Sequence, residues 1–265
     1  MKRRHILAFL SGLSVTLLVA CGAQVDPPTS AKAQDTTLLI AAAASLQDVL
    51  EELDPVFKAA HDGIIINYNF AASGPLQQQI EQGSPADVFI SAGKRQMDAL
   101  QSQNLIVADT RRNILTNSLV LVVPKDSTLG LRDFRQLTSS TVEKISVGEP
   151  RSVPAGQYAE ELFTNLGVLE QLRSKFVYGN SVRNVLSTVE SGNADAGIVY
   201  ATDARASEQI AHVATASDSL HSPIVYPMAV IAASRHQDAA RTYAQFLTSP
   251  EAQAVFRRYG FGVAP

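Results

Sequence analysis

The chain has 265 residues, with 22 Lys and Arg against 25 Asp and Glu, a formal charge of −3 and a single cysteine. This acidic balance argues against nucleic acid as a partner, because a basic patch is the footprint that phosphate backbones require. One thiol excludes an internal disulfide, so the fold rests on its core, and a chain of this length buries enough apolar surface for that.

Residues 1–4 are basic, residues 6–20 are almost wholly apolar or small, and Leu18-Val-Ala-Cys21 closes the segment. A basic head, a short apolar run and a small-residue cleavage point describe an export signal rather than a membrane span. Loss of residues 1–20 removes Lys2, Arg3 and Arg4 and takes the formal charge from −3 to −6. An anion bound by so acidic a chain is held by local dipoles, not by overall attraction. Residues 22–34 are small, polar and proline-containing, and read as a flexible tether.

Residues 37–44 form a short apolar strand that runs with almost no loop into a helix over residues 45–60. Leu46, Val49, Leu50, Leu53 and Phe57 share one face of that helix and are assigned to the core. Ser45 stands at the helix start. It reads either as the cap of its own helix, with Asp48 completing a capping box, or as one wall of an oxyanion pocket. The second reading follows because a helix start presents unpaired N–H groups and a partial positive charge.

Residues 64–70 form a second strand, and Ala72-Ser73-Gly74-Pro75 opens a second helix, since proline is welcome in a first turn. A third strand at 86–92 and a third helix at 94–103 follow. Such alternation predicts a parallel sheet flanked by helices, with ligands beyond the carboxyl ends of the strands. Ser45 and Ser73 both fall on that edge.

After the apolar run at 117–124 the pattern restarts: helix near 131–137, strand 144–148, helix 155–166, strand 176–178, helix 182–190, strand 196–200 and helix 203–209. A second apolar run at 223–231 and helices at 237–247 and 250–259 close the chain. Two strand runs bracketing an inserted βα block predict a chain that leaves one lobe, builds a second and returns through a two-strand hinge, with a cleft between. The inserted block has its own helix starts. Pro154-Ala155-Gly156 opens one with small residues that allow close approach to backbone, and Ser181 caps another that begins at Val182. By residue type alone, Tyr200 is a strand-end hydroxyl in water, Arg183 a solvated helix-surface cation and Tyr158 a packing residue.

Eight motifs in order resemble those of the periplasmic molybdate-binding proteins of ABC transporters. They are Ala-Ala-Ala-Ser45-Leu, Phe70-Ala-Ala-Ser73-Gly, Pro85-Ala-Asp-Val-Phe-Ile-Ser91, Asn117-Ser-Leu-Val-Leu-Val, Val153-Pro-Ala155-Gly-Gln-Tyr158-Ala, Val182-Arg, Gly197-Ile-Val-Tyr200 and Arg258-Tyr-Gly-Phe261. The resemblance spans residues 38–262. It implies the type II periplasmic-binding fold, an α/β architecture of two lobes, each a mostly parallel sheet flanked by helices. It further implies that a tetrahedral dianion is held by Ser45 and Ser73, by the backbone N–H groups of Ala155 and Val182 and by the Tyr200 hydroxyl. Molybdate or tungstate is then the ligand, with no cofactor and no direct cation site. An ABC permease with its ATPase is the partner, and the protein is a monomer. Leu-Val-Ala-Cys21 resembles the lipobox of bacterial lipoproteins, which implies cleavage before Cys21, lipidation there and a membrane anchor facing the periplasm or cell exterior. The expected division is signal 1–20, lipidated Cys and tether 21–35, lobe I at 36–118 plus 225–265, and lobe II at 119–224. Two departures from the family pattern lie beside Ser73: Ala72 stands where relatives often carry Ser, and Pro75 lacks an N–H.

The chemistry of the residues agrees. A dianion that stays deprotonated at neutral pH needs only donors, and neutral donors at helix starts supply them. Sulfate or an organic anion is the nearest alternative ligand. A serine-dependent hydrolase is the competing class, but no Gly-x-Ser-x-Gly elbow is present and His61, His212, His221 and His236 lie in no catalytic pattern. A metal site lacks a His-x-x-x-His pair or a second cysteine.

Overall fold

The computed structural model describes residues 35–264, so the export signal, Cys21 and the tether lie outside the described residues. In chain order the elements are β1 (Thr36–Ala43), a 3₁₀ turn (Ala44–Leu46), α1 (Gln47–Ala60), β2 (Ile64–Ala71), α2 (Ser73–Glu81), β3 (Val88–Ile90), α3 (Lys94–Ser102), β4 (Arg112–Thr116) and β5 (Leu119–Pro124). Then come β6 (Ile145–Gly148), α4 (Pro154–Asn165), α5 (Leu169–Leu172), β7 (Phe176–Gly179), α6 (Val182–Glu190), β8 (Ala196–Tyr200), α7 (Ala201–Arg205) and β9 (Ile210–Thr215). The chain ends with β10 (Val225–Val230), α8 (Gln237–Phe246), α9 (Pro250–Arg258) and β11 (Gly262–Val263).

These strands form two sheets, one in the order β11-β4-β10-β3-β1-β2 and the other in the order β7-β6-β8-β5-β9. Each contains the expected parallel unit, β2-β1-β3 in the first and β7-β6-β8 in the second. The remaining pairings are antiparallel, because β4, β5, β9 and β10 are the strands by which the chain passes between sheets and doubles back. Residues 117–118 make one passage and residues 216–224 the other. The two passages are bonded to the neighbouring chain at both ends: Asn117 N–H donates to the Ile224 carbonyl at 3.3 Å, and Ala216 N–H to the Leu119 carbonyl at 2.8 Å. A two-strand hinge is therefore the junction of the lobes.

The apolar face assigned to α1 is buried throughout: Leu46, Val49, Leu50, Leu53 and Phe57 all lie in the core. Phe57 meets Tyr243 edge-on at 5.1 Å and Phe246 at 5.2 Å, so helix α8, late in the chain, returns to pack on the first lobe. Two expectations differ, and three strands are not expected from the sequence. The helix near 131–137 is a 3₁₀ turn, Phe134–Thr138, capped by the Asp133 carboxylate. The helix at 203–209 is the shorter α7, and the chain after it becomes β9. Strands β4, β9 and β11 are short or at sheet edges, with few buried side chains to mark them.

The first turn of α4 rests directly on the last residue of β6. A methyl group on Gly156 would lie 2.0 Å from the Gly148 carbonyl oxygen, a backbone atom that cannot swing aside. Gly156→Ala is expected to destabilise the chain by about 1–3 kcal/mol through overpacking, read as a lower midpoint in thermal unfolding.

Candidate functional site

Ser45 lies inside the 3₁₀ turn rather than at a cap position, and α1 begins after Leu46 with no side-chain cap. The capping box with Asp48 is therefore not formed. The tight turn aims the Ser45 hydroxyl across to β10, where its Oγ lies 2.9 Å from Tyr226 Oη. Ser73 is likewise the first helical residue of α2, not its cap, and Ala72 holds the cap position with its methyl in the core. The buried Ser73 Oγ accepts the Ala92 N–H at 2.9 Å. Pro75 falls within the first turn of α2, where a missing N–H orphans no acceptor.

In the second lobe, Ala155 follows Pro154 in the first turn of α4. Val182 opens α6, and Ser181 caps that helix by accepting the Asn184 N–H at 3.1 Å, as the sequence predicts. Tyr200 ends β8. Its ring is 1% exposed rather than in water, and its hydroxyl donates across to the Ala92 carbonyl at 3.4 Å. Burial, and then the neighbouring Tyr226, raise its pKa well above the ordinary tyrosine value, so it remains a proton donor.

Five expected residues meet along one seam between the sheets. Ala92 serves two of them, giving its N–H to Ser73 and its carbonyl to Tyr200. Gly74 N–H donates to the Ser152 carbonyl at 2.9 Å, which sets Ser73 beside the segment leading to Ala155. The Tyr200 and Tyr226 rings are 5.9 Å apart, which ties Tyr200 to Ser45. Helix α6 packs on the 3₁₀ turn that holds Ser45, and Arg183, the residue after Val182, reaches Asp48 just beyond that turn at 2.6 Å.

At Gly74 the lobes touch backbone to backbone: an added methyl would sit 2.4 Å from the Ser152 oxygen. Gly74→Ala is expected to hold the lobes apart while leaving each intact. Small-angle scattering should give a larger radius of gyration than the parent chain, and an identical radius would count against this contact as a closure point.

Arg183 is not the solvated cation that its helix position suggests. Its Nη2 lies 2.6 Å from Asp48 Oδ2 in the first lobe, and its Nε lies 2.9 Å from Asp203 Oδ1 in the second. The Nε contact is poorly aligned for a hydrogen bond, so it acts through charge alone. Burial raises the Asp203 pKa to about 6, against the opposing pull of Arg183. Arg183 is held above its usual value because Asp203 and Asp48 outweigh the penalty of its own burial. A carboxyl whose folded pKa exceeds its unfolded one stabilises the fold below the unfolded value and loses that contribution as pH rises through the folded one. Asp203 should thus contribute less stability as pH climbs from about 4 to about 6. Asp203→Asn is expected to flatten that part of the curve of unfolding free energy against pH; an unaltered slope would show that other groups set it.

Among the described residues, no group of three His, Cys, Asp or Glu is placed to hold a metal ion, and no helix is long and apolar enough to cross a membrane. The family described as bacterial extracellular solute-binding protein matches residues 38–262. The chain belongs to that family. This bacterial extracellular solute-binding protein is 41% identical over 253 residues to the Bacillus subtilis (strain 168) protein YvgL, provisionally named an ABC transporter substrate-binding lipoprotein, with 96% of each chain covered. It is 36% identical to the molybdate-binding protein ModA of Escherichia coli (strain K12), covering 98% of this chain and 99% of that one. Among solved structures, it matches the substrate-binding domain of a provisionally named molybdenum ABC transporter from Clostridium difficile with a TM-score of 0.68 at 41% identity, over 87% of this chain and all of that one. Its role is binding, not catalysis.

Three groups at the seam escape a reading of sequence alone: Tyr226, Asn117 and the acid pair around Arg183. Asn117 does stand within one of the eight motifs, whereas Tyr226 is hidden in an apolar run and Asp203 in a helix start.

Proposed function

We propose that this protein captures molybdate, and tungstate with it, in the seam between its lobes and delivers the anion to an ABC permease driven by its ATPase. The observation that carries this reading is the meeting of two serines, two helix starts and a buried tyrosine along one seam, with the nearby guanidinium committed to carboxylates. Ser45 and Ser73 give hydroxyl donors from the first lobe, Ala155 and Val182 backbone N–H donors from the second, and Tyr200 a hydroxyl. Neutral donors suit an anion with no proton of its own, and a site closed from water strengthens each bond. The ModA relatives, named for molybdate, support the same ligand.

Lobe I comprises 36–118 with 225–265 and lobe II 119–224, a division that agrees with the strands each sheet draws on. The protein acts as a monomer, anchored through a lipid on Cys21 after loss of residues 1–20. The lipobox-like Leu-Val-Ala-Cys21 supports the anchor, as does the lipoprotein name of YvgL.

Titration calorimetry with molybdate, tungstate, sulfate and phosphate tests the assignment. Molybdate and tungstate are expected to bind far more tightly than the other two; sulfate binding as tightly as molybdate would overturn the specificity. Ser45→Ala or Ser73→Ala should each weaken molybdate about 10- to 100-fold, the worth of one hydrogen bond to a charged group.

A further inference from the structure

The side chain of Asn117, in the passage between the lobes, has a fixed direction. Its Oδ1 accepts the Ser118 N–H at 2.9 Å, which turns its Nδ2 toward Thr202 Oγ1 at 2.9 Å and Tyr226 Oη at 3.2 Å. An amide nitrogen only donates. Tyr226 Oη therefore accepts from Asn117, and its own proton goes to Ser45 Oγ, 2.9 Å away, its other hydrogen-bonding neighbour among the described residues. Tyr226 is fully buried, and burial first, then the charge of Asp203, push its pKa far upward, so that proton is permanent.

Ser45 Oγ thus receives a proton from the protein, and its own proton has no other partner among the described residues. Ser73 is in the same state: its oxygen accepts the Ala92 N–H, and its own proton has no partner among the described residues. Either hydroxyl satisfies its proton by donating to a ligand. To accept a proton from a ligand instead, it would leave its own proton buried and unmatched, which is costly.

We propose that Asn117 and Tyr226 are positioning residues that set Ser45 as a proton donor toward the ligand, and so select fully deprotonated oxyanions over ones that carry a proton, such as hydrogen phosphate. This rests on the oxyanion reading above. The direction of the relay is written in Asn117, because a residue there that accepts rather than donates turns Tyr226 around. Tyr226 then gives its proton to residue 117 and accepts from Ser45, which frees Ser45 to accept from a ligand hydroxyl.

Asn117→Asp makes that reversal at nearly constant shape. Calorimetry at pH 7 with molybdate, tungstate and phosphate reads it as affinity ratios, and a Tyr226→Phe background carrying the same new carboxylate controls for the repulsion that it adds. The molybdate-to-phosphate affinity ratio is expected to fall about tenfold, the worth of one hydrogen bond at the site, while the molybdate-to-tungstate ratio stays constant. In a Tyr226→Phe background, which cannot pass the reversal on, Asn117→Asp is expected to leave the molybdate-to-phosphate ratio unchanged. Should Asn117→Asp fail to fold, the Tyr226→Phe single variant takes its place: Ser45 Oγ then receives no proton from residue 226 and is free to accept one from a ligand hydroxyl, so the molybdate-to-phosphate ratio is expected to fall there too. A molybdate-to-phosphate ratio within twofold of the parent, or an equal fall in the Phe background, overturns the relay. Molybdate binding by Ser45→Ala equal to the parent would instead sink the oxyanion site itself.

Discussion

No side chain fits between Gly74 and Ser152, and much of the seam depends on that constraint. The Gly74 N–H reaches the Ser152 carbonyl directly, one lobe's backbone against the other's. Ser73 immediately precedes that contact and Pro154-Ala155 shortly follows it, so two helix starts from different sheets are brought to one point without an intervening layer of side chains. Gly93 is closely packed as well, though against side chains: a methyl there would lie 3.2 Å from the Pro154 ring. Hydrogen bonds in such a water-poor place gain strength from the low local dielectric, and uncharged donors become sufficient.

Charge around the seam is arranged to cancel. Arg183 stands beside Val182, where a cation for an anionic ligand would be expected, yet its guanidinium is shared between Asp48 and Asp203. One cation between two carboxylates has no positive charge to spare. The arrangement ties α6 to the start of α1 across the lobes, and it leaves the anion to dipoles, in keeping with the acidity of the whole chain. A buried acid beside such a pair carries a desolvation penalty, which is why Asp203 holds its proton more readily than an exposed aspartate does.

Much of this was legible in the residues. The amphipathic spacing of α1, the Pro-led starts of α2 and α4 and the Ser181 cap are local patterns, and local patterns survive folding. The two-lobed plan followed from two apolar runs around an inserted block. What stayed hidden was set by long-range geometry. Ser45 carries every mark of a cap, but its hydroxyl is claimed by Tyr226, 181 positions away. Arg183 looks solvated on its own helix because Asp48 lies 135 residues earlier. Strand β9, just beyond the expected helix at 203–209, carries no sequence signal because an edge strand with half-exposed side chains lacks a clean alternation.

The position of β10 bears on how the molecule comes to be made. It sits between β3 and β4 in the middle of its sheet, yet it is drawn from the last sixth of the chain. While synthesis or translocation is still under way, the first sheet lacks its central strand, and β3 and β4 have no neighbour on that side. The inserted sheet, continuous from β5 to β9, is complete well before. The first sheet can therefore close only once residues 225–230 are available to it, whereas the inserted sheet has all its strands without them.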